Sequence, residues 1–261
     1  MQISTNGTIL NCRLDGPADG PVLVFSNSLA TSMAMWDDQV SRLKDRFRIL
    51  RYDNRGHGGS KPTPGPYTLD LLAGDLVGLL NALAIDRVLF CGLSMGGMIG
   101  QWLGINAPER VDRLVLSNTA SFFPNKEMWR DRIEMAERDG ISAIAEVSIK
   151  RWFTPEYLAR PESLETIDRV RRFINETNCE GYLACCVAIR EMNFSNQLER
   201  IKTPTLVIMG EKDPATLPEY GELIARGIKT SKSVVLPEAA HLSNIQQADN
   251  FTRILREFLE T

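Results

Sequence analysis

Histidine is rare in this sequence, and its cysteines follow no pattern. There are two histidines and five cysteines, and no two cysteines have C-x-x-C spacing. A structural zinc site would therefore lack its usual ligands. The odd number of cysteines at irregular spacing argues against a disulfide framework and favours reduced thiols. We expect a protein that uses neither a metal nor a disulfide scaffold.

The sequence also lacks an excess of charge of one sign and any long apolar run. Its 30 basic and 33 acidic side chains leave a net charge of −3 without a basic stripe, so nucleic acid is not an expected partner. No run reaches the roughly 18 apolar residues of a membrane span. The segment Met1–Leu10 lacks the basic-then-apolar order of a secretory signal. These absences predict a cytoplasmic protein with no membrane partner.

What the sequence does contain is an alternation of short apolar runs with longer amphipathic stretches. Near-continuous apolar runs are typical of parallel strands that are buried on both faces. Six runs are predicted to be such strands: Pro21–Phe25, Phe47–Tyr52, Val88–Cys91, Leu114–Leu116, Thr205–Ile208 and Ser233–Leu236.

Helical spacing appears between these strands. Leucines recur at helical intervals from Leu69 to Leu83, with Thr68 placed to cap the helix. A second helix is predicted over Gly97–Ala107 and a third from Phe251 to Leu259. Strands that alternate with helices predict an α/β fold with a mostly parallel central sheet and helices on both faces.

The alternation stops between about residues 121 and 200, where the pattern is helical and contains no convincing strand. A helical insertion between two strands of one sheet is typical of a lid over an active site. We predict a core domain of residues 1–120 and 201–261, with residues 121–200 forming the lid. The Met and Trp side chains of this insertion are predicted mainly to fill the lid's own interior.

The strongest chemical motif is the G-x-S-x-G segment from Gly92 to Gly96, with Ser94 at its centre. It follows the strand Val88–Cys91 and opens a helix, which is the setting of a nucleophile elbow. In such an elbow a strained turn exposes the serine hydroxyl, and the glycines permit close backbone contacts. The alternative is a glycine-rich turn in which Ser94 only caps the helix.

A nucleophilic serine needs a base and an orienting carboxylate, which follow it in the order acid, then histidine, in this kind of fold. His241 is the only histidine after Ser94, and it lies in a loop between the last strand and the last helix. Asp213 follows the strand Thr205–Ile208 and is the predicted acid. Glu211 is the alternative acid, and a capping or surface role is the alternative for His241.

An oxyanion would be bound by backbone N–H groups. Met95, which follows the nucleophile, supplies one, and the loop after the first predicted strand places Leu29 as the second. His57 lies in a glycine-dense turn from Asp53 to Ser60 and is predicted to be structural, with Asp53 and Arg55 making local hydrogen bonds.

Taken together, these motifs resemble the α/β-hydrolase fold superfamily over the whole chain. A narrower resemblance is to the 3-oxoadipate enol-lactonases of the protocatechuate branch of aromatic catabolism. The segments that resemble those enzymes are Ser26–Leu29, Arg51–Gly58, Gly65–Thr68, Phe90–Gly97, Arg151–Thr154, Glu180–Tyr182 and Ala184–Arg190.

The resemblance implies a hydrolase that opens an enol-lactone without any cofactor or metal. The substrate would carry a free carboxylate, which Arg151 beside Trp152, or Arg190, could bind. Asn27, Ser28 and Trp152 are further candidate substrate contacts. Two other interpretations stay open: a general carboxylesterase or cofactor-free haloperoxidase-like perhydrolase, and a small-molecule receptor on a hydrolase scaffold. The sequence indicates no oligomeric state.

Overall fold

Eight strands form a single sheet in the computed structural model, which describes residues 1–261. In chain order they are β1 (Gln2–Thr5), β2 (Thr8–Asp15), β3 (Val22–Ser26), β4 (Arg48–Tyr52), β5 (Val88–Leu93), β6 (Val111–Ser117), β7 (Thr205–Gly210) and β8 (Ser231–Leu236). Across the sheet the order is β1-β2-β4-β3-β5-β6-β7-β8. The pairs β1–β2 and β2–β4 are antiparallel, and all the others are parallel. The mostly parallel sheet expected from the apolar runs is therefore confirmed.

The six predicted strands correspond to β3 through β8, but β1 and β2 were not predicted. No residue of β1 is buried, so this edge strand has none of the apolar continuity that marks the central strands. Asn6 and Gly7 connect β1 to β2 with φ values of 44° and 75°. Asn-Gly is the preferred pair for a tight hairpin turn, so this dipeptide was the available signal.

Eleven helices accompany the sheet: α1 (Asp37–Leu43), α2 (Leu69–Ala82), α3 (Met95–Asn106), α4 (Glu127–Asp139), α5 (Ile141–Trp152), α6 (Pro155–Leu158), α7 (Leu164–Asn175), α8 (Cys179–Glu191), α9 (Pro218–Gly227), α10 (Ser243–Gln246) and α11 (Ala248–Leu259). Thr68 caps α2 as predicted, its hydroxyl accepting from the Leu71 N–H at 3.1 Å. α3 begins at Met95, two residues earlier than predicted. None of the helices combines the length and apolar character that a bilayer crossing needs.

The segment between β6 and β7 is helical, as its pattern predicted. Helices α4 to α8 fill it, and an isolated bridge between Phe122 and Asn193 joins its two ends. The backbone of α8 packs directly against the turn that contains Gly56. A Cβ added to Gly56 would lie only 2.6 Å from the Cα of Gly181 in α8. One cluster of 74 buried apolar residues extends through this segment and the sheet region.

Candidate active site

Ser94 lies on a strained turn between β5 and α3. Its φ of 56° and ψ of −116° are unusual for a residue with a side chain. The flanking glycines leave room for this turn, since a Cβ on Gly92 would lie 2.2 Å from the Gly96 carbonyl oxygen, and one on Gly96 would lie 2.1 Å from that of Ser26. Ser94 does not act as a side-chain cap of α3. The local geometry is that of a nucleophile elbow.

His241 and Asp213 meet at the same edge of the sheet. Asp213 follows β7, and His241 lies in the loop between β8 and α10. The Nδ1 atom of His241 is 2.9 Å from Oδ2 of Asp213, and both side chains are buried. Because the carboxyl ends of parallel strands share one edge, residues distant in sequence converge there.

The carboxylate of Asp213 is fully hydrogen-bonded. Oδ1 accepts from the backbone N–H groups of Ala215 and Thr216 at 2.8 and 3.0 Å. Oδ2 accepts from the Thr216 hydroxyl at 2.7 Å and from Asn118 Nδ2 at 2.9 Å, besides facing His241. Burial alone would raise the pKa of Asp213, but the charge and hydrogen bond of His241, with those from Asn118 and Thr216, hold this pKa below its usual value. The group is therefore an ionised partner for the imidazole at neutral pH.

A cavity of about 40 Å³ connects Ser94 to His241. No direct hydrogen bond joins the two side chains, a common finding where substrate is absent. One water needs roughly 10–15 Å³ of such space, so the cavity has room for about three waters. The lining comes from both the sheet edge and the helical segment: Ser28, Leu29, Ser94, Phe123, Met128, Trp129, Arg132, Arg151, Trp152, Ala215, Thr216 and His241.

Two backbone N–H groups are available beside Ser94. The Leu29 N–H makes no hydrogen bond within the chain, and Leu29 lines the cavity. Met95 is the first residue of α3, so its N–H has no acceptor inside the helix. The loop that carries Leu29 is tied to the elbow by a 3.0 Å bond from the Gly96 N–H to the Asn27 carbonyl. The arrangement fits the predicted pair of oxyanion donors.

The two neighbouring candidates in this loop differ. Ser28 lines the cavity, and its hydroxyl has no partner within the chain, so it remains a candidate substrate contact. Asn27 does not line the cavity. Its amide donates to the Tyr52 carbonyl at 2.7 Å and accepts from Trp36 Nε1 at 3.1 Å. Asn27 is a loop anchor, and its predicted substrate contact is not supported.

The two candidate cations, Arg151 and Arg190, also differ in whether they line the cavity. Arg151 lines the cavity, with Nη2 3.2 Å from the Pro214 carbonyl oxygen, and forms no salt bridge. Burial and the like charge of Arg132 lower the pKa of the Arg151 guanidinium. Arg190 does not line the cavity, and its Nε lies 2.7 Å from Glu191 Oε1. A cation already paired at the surface is poorly placed for substrate, so we discard Arg190.

Arg132 was not predicted. It lies on α4, lines the cavity beside Arg151, and has no carboxylate partner. Its Nη2 donates to the Ser148 hydroxyl at 2.7 Å, and its Nε donates to the Tyr182 hydroxyl. A lone arginine on a charged helix carries no motif, so only the packing of α4 against α5 and α8 brings it to the cavity. Two half-buried guanidinium groups without a counter-ion make this wall electropositive.

The structure also shows where Glu211 and His57 lie relative to the cavity. Glu211, the alternative acid, is exposed and accepts from the Glu238 N–H at 2.9 Å, away from His241. His57 is fully buried outside the cavity, with Nδ1 3.1 Å from the Arg55 carbonyl oxygen. Its structural interpretation is supported.

Two further expectations need correction. Arg55 pairs with Asp75, 20 residues away, rather than locally. Trp129 lines the cavity although we predicted that the Met and Trp residues of the insertion would mainly fill the lid interior, whereas Trp152 lines it as a candidate substrate contact would. A composition argument does not say which buried face of a helix borders a cavity.

Comparison with known proteins gives consistent results. Residues 21–138 match the family described as alpha/beta hydrolase fold. The chain is 37% identical over 258 residues to 3-oxoadipate enol-lactonase 2 of Acinetobacter baylyi, covering 99% of this chain and 96% of that protein. The enol-lactonase structure from Burkholderia xenovorans LB400 superposes with a TM-score of 0.97 at 40% identity, over the full length of both chains. A malate-bound thermophilic esterase from Thermogutta terrifontis superposes with a TM-score of 0.91 at 30% identity, covering 100% of this chain and 97% of that one.

Proposed function

Because the chain belongs to the alpha/beta hydrolase family and is a hydrolase of ester bonds, we propose that it opens 3-oxoadipate enol-lactone to 3-oxoadipate, in the protocatechuate branch of aromatic catabolism. One observation carries the choice of substrate. The cavity that holds Ser94 and His241 also holds Arg132 and Arg151, neither of which has a carboxylate partner. A substrate with one reacting carbonyl and one free carboxylate would place the carbonyl at Ser94 and the carboxylate at the two arginines.

The first half of the reaction would be acylation. Ser94 Oγ attacks the lactone carbonyl while His241 accepts the serine proton. Asp213 holds the imidazole and stabilises its positive charge, and the N–H groups of Leu29 and Met95 hold the oxyanion. The ring carbon–oxygen bond then breaks, and His241 returns the proton to the departing enol oxygen. The enol tautomerises to the ketone, which removes the group that would reclose the ring.

The second half would be hydrolysis of the acyl-enzyme. A water in the cavity gives a proton to His241 and attacks the Ser94 ester, and the same N–H groups hold the second oxyanion. Ser94 leaves with the proton from His241, and the acid product is released. No group outside the chain and the water is needed for either half.

The free carboxylate of the substrate would lie against Arg132 and Arg151. An unpaired carboxylate in a partly enclosed cavity is costly, and two guanidinium groups offset that cost through charge-assisted hydrogen bonds. Burial and, after it, the like charge of Arg132 lower the pKa of Arg151, so the two arginines also repel one another. An anionic ligand relieves this repulsion, so the wall selects for an anion.

We further propose that residues 121–200 act as the lid of a core formed by residues 1–120 and 201–261. Met128, Trp129 and Arg132 of α4, with Arg151 and Trp152 of α5, cover the side of the cavity opposite the sheet edge. A space of about 40 Å³ is small for a ten-atom lactone, so this cover has to shift for substrate to enter.

The decisive experiment is steady-state hydrolysis of three substrates followed by absorbance: 3-oxoadipate enol-lactone, a neutral enol-lactone of similar ring size, and an aryl acetate. We expect kcat/KM for the carboxylated lactone to exceed that for the neutral lactone by at least tenfold. A higher kcat/KM for the aryl acetate would instead indicate a general carboxylesterase. Saturable lactone binding without turnover would indicate a receptor.

A further inference from the structure

We infer that Asn118 is a positioning residue for the reaction, holding the acid and the base loop of the site in register. The inference rests on the Ser94–His241–Asp213 chemistry proposed above. Asn118 follows β6 directly and lies beside the end of β7, and it has no place in the nucleophile motif or in the cavity lining. Its side chain instead contacts the two segments that carry Asp213 and His241.

The donor end of the Asn118 amide faces both segments. Nδ2 donates to Asp213 Oδ2 at 2.9 Å and to the Ala240 carbonyl at 3.3 Å. Asp213 Oδ2 is the same atom that faces His241 Nδ1, and Ala240 immediately precedes His241. One amide group therefore connects the acid to the backbone that carries the base.

The acceptor end fixes which way the amide points. Oδ1 accepts from the Ser243 hydroxyl at 2.6 Å and lies 3.0 Å from the Ser117 hydroxyl. Two hydroxyl donors on one side and a carboxylate on the other leave a single consistent orientation of the amide. Ser243 also lies two residues after His241, so Asn118 holds the base loop on both sides of the histidine.

The backbone at this position is specialised for the amide. Asn118 has a φ of 42°, in the left-handed region that asparagine tolerates better than most residues, and it is buried. Its N–H donates to the Ile208 carbonyl of β7 at 2.8 Å. Gly210, at the end of β7, lies beside Asn118 in space. A Cβ on Gly210 would lie 3.0 Å from Asn118 Nδ2, so the absence of a side chain there keeps space for the amide.

The contact has a consequence for protonation. A donor to Asp213 Oδ2 stabilises the negative charge of the Asp213–His241 pair, so it lowers the affinity of that pair for a proton. Removing the donor makes the pair easier to protonate. The rate needs an unprotonated base, so the pH below which activity is lost should rise. A residue that only stabilised the fold would not move this pH.

The test uses Asn118→Gly, which keeps the left-handed backbone without strain and removes the side chain that carries the amide. We expect kcat to fall by roughly 10-fold to 100-fold, the effect of one hydrogen bond to a charged group, with KM nearly unchanged. The acid limb of the kcat/KM profile should move up by about half to one pH unit. Ser243→Ala, which loosens the amide without touching Asp213, should change both quantities in the same direction by a smaller amount.

Asn6→Gly provides a matched control. Asn6 has a φ of 44°, and its Nδ2 donates to a buried carboxylate, Asp75 Oδ1, at 2.8 Å, far along the chain from the site. We expect it to lower stability while leaving kcat and the acid limb unchanged. An Asn118→Gly protein with a lower melting temperature but an unshifted acid limb would overturn the inference.

An aryl acetate and the carboxylated enol-lactone should both be used as substrates. The acid limb should shift equally with each, because both reactions use the same base. A shift seen only with the lactone would overturn the positioning role. The ratio of the two wild-type kcat/KM values reports separately on the proposed lactonase function.

Discussion

The two walls of the cavity differ in what they offer a substrate. The wall formed by the sheet edge carries Ser94, His241 and the free N–H of Leu29, on a backbone strained at Ser94. The wall formed by α4 and α5 carries Arg132, Arg151 and two tryptophans. The groups proposed to make and break bonds lie on the first wall, and those proposed to recognise charge and shape lie on the second.

This difference predicts that turnover and substrate binding can be changed independently of each other. Five hydrogen bonds hold the Asp213 carboxylate behind the first wall, and one of them holds the imidazole of His241. The two arginines of the second wall have no carboxylate partner and are held by neutral groups, so they are available to a ligand. Changes in the first wall should therefore act on kcat, and changes in the second on KM.

Ser94→Ala should have the largest effect. Loss of the nucleophile is expected to lower kcat by roughly 10⁴-fold or more for every ester substrate, because serine in such a triad acts as part of a unit. Steady-state assays and a thermal melt would measure both activity and folding. Ser41→Ala, at an exposed serine of α1, is the control for the substitution itself. Near-normal turnover by a folded Ser94→Ala protein would exclude the elbow as the nucleophile site.

The two histidines should respond differently to replacement. His241→Ala is expected to lower kcat by orders of magnitude with little loss of fold, because it removes the base. His57→Ala should act mainly on stability, since it empties a buried site outside the cavity. Activity per folded molecule, measured alongside thermal unfolding, separates the cases. Equal losses of kcat in two well-folded variants would place His57 in the reaction.

The arginines of the second wall should affect one class of substrate only. Arg132→Met and Arg151→Met are each expected to raise KM for the carboxylated lactone by roughly 10-fold to 100-fold, the effect of a lost charge-assisted hydrogen bond. KM for a neutral lactone should change little, because that contact is absent from the start. Initial-rate measurements over a range of both substrates test this.

Arg190→Met is the matched control, because Arg190 lies on the same helical segment and is paired with Glu191 at its surface. It should leave both KM values unchanged. Equal increases for the neutral and carboxylated lactones in the Arg132 or Arg151 variants would mean that the arginine shapes the cavity without binding an anion.

The smallest effect concerns the stability of the two regions. Thr68 caps α2 in the region that contains the sheet. Asn178 caps α8 in the helical segment and accepts from the Gly181 N–H at 2.9 Å. Replacing either by Ala should lower the free energy of unfolding by about 1 kcal/mol. One apolar cluster spans both regions, so we expect a single transition in denaturant for each variant. Two transitions, with only the first moved by Asn178→Ala, would show that the segment unfolds separately.

The first wall was largely predictable from the sequence. Ser94 sits in a local motif whose strand and helix are strongly patterned, and His241 could be chosen because only one histidine follows it. Five of the six predicted strands, β3 to β7, lie inside the sheet, where burial leaves a nearly unbroken apolar run. The sixth, β8, lies at the far edge, and only Leu236 of it is buried. The hairpin of β1 and β2 was missed because no residue of β1 is buried and the buried residues of β2 alternate with partly exposed ones, so neither strand shows a continuous apolar run.

The second wall was not predictable to the same degree. Arg151 and Arg190 were alternative candidates only through a resemblance, and of the two only Arg151 lines the cavity, whereas Arg132 was not identified. Arginines on amphipathic helices occur on every exposed face, and the packing angle between helices decides which of them borders a cavity. Asn118 was missed for a related reason, since its partners lie about 95 and 125 residues away along the chain.

The contact between Gly56 and Gly181 limits how lids can be exchanged among enzymes of this architecture. Each glycine occupies the space that a Cβ of the other would need. A helical segment grafted from a relative would seat on this core only if it brought a glycine at the matching position. A chimera that lacked one would hold its α8 away from the turn at residues 53–60, and its cavity would be wider from that side. Substrate range in such chimeras therefore depends on one residue pair remote from the reacting serine.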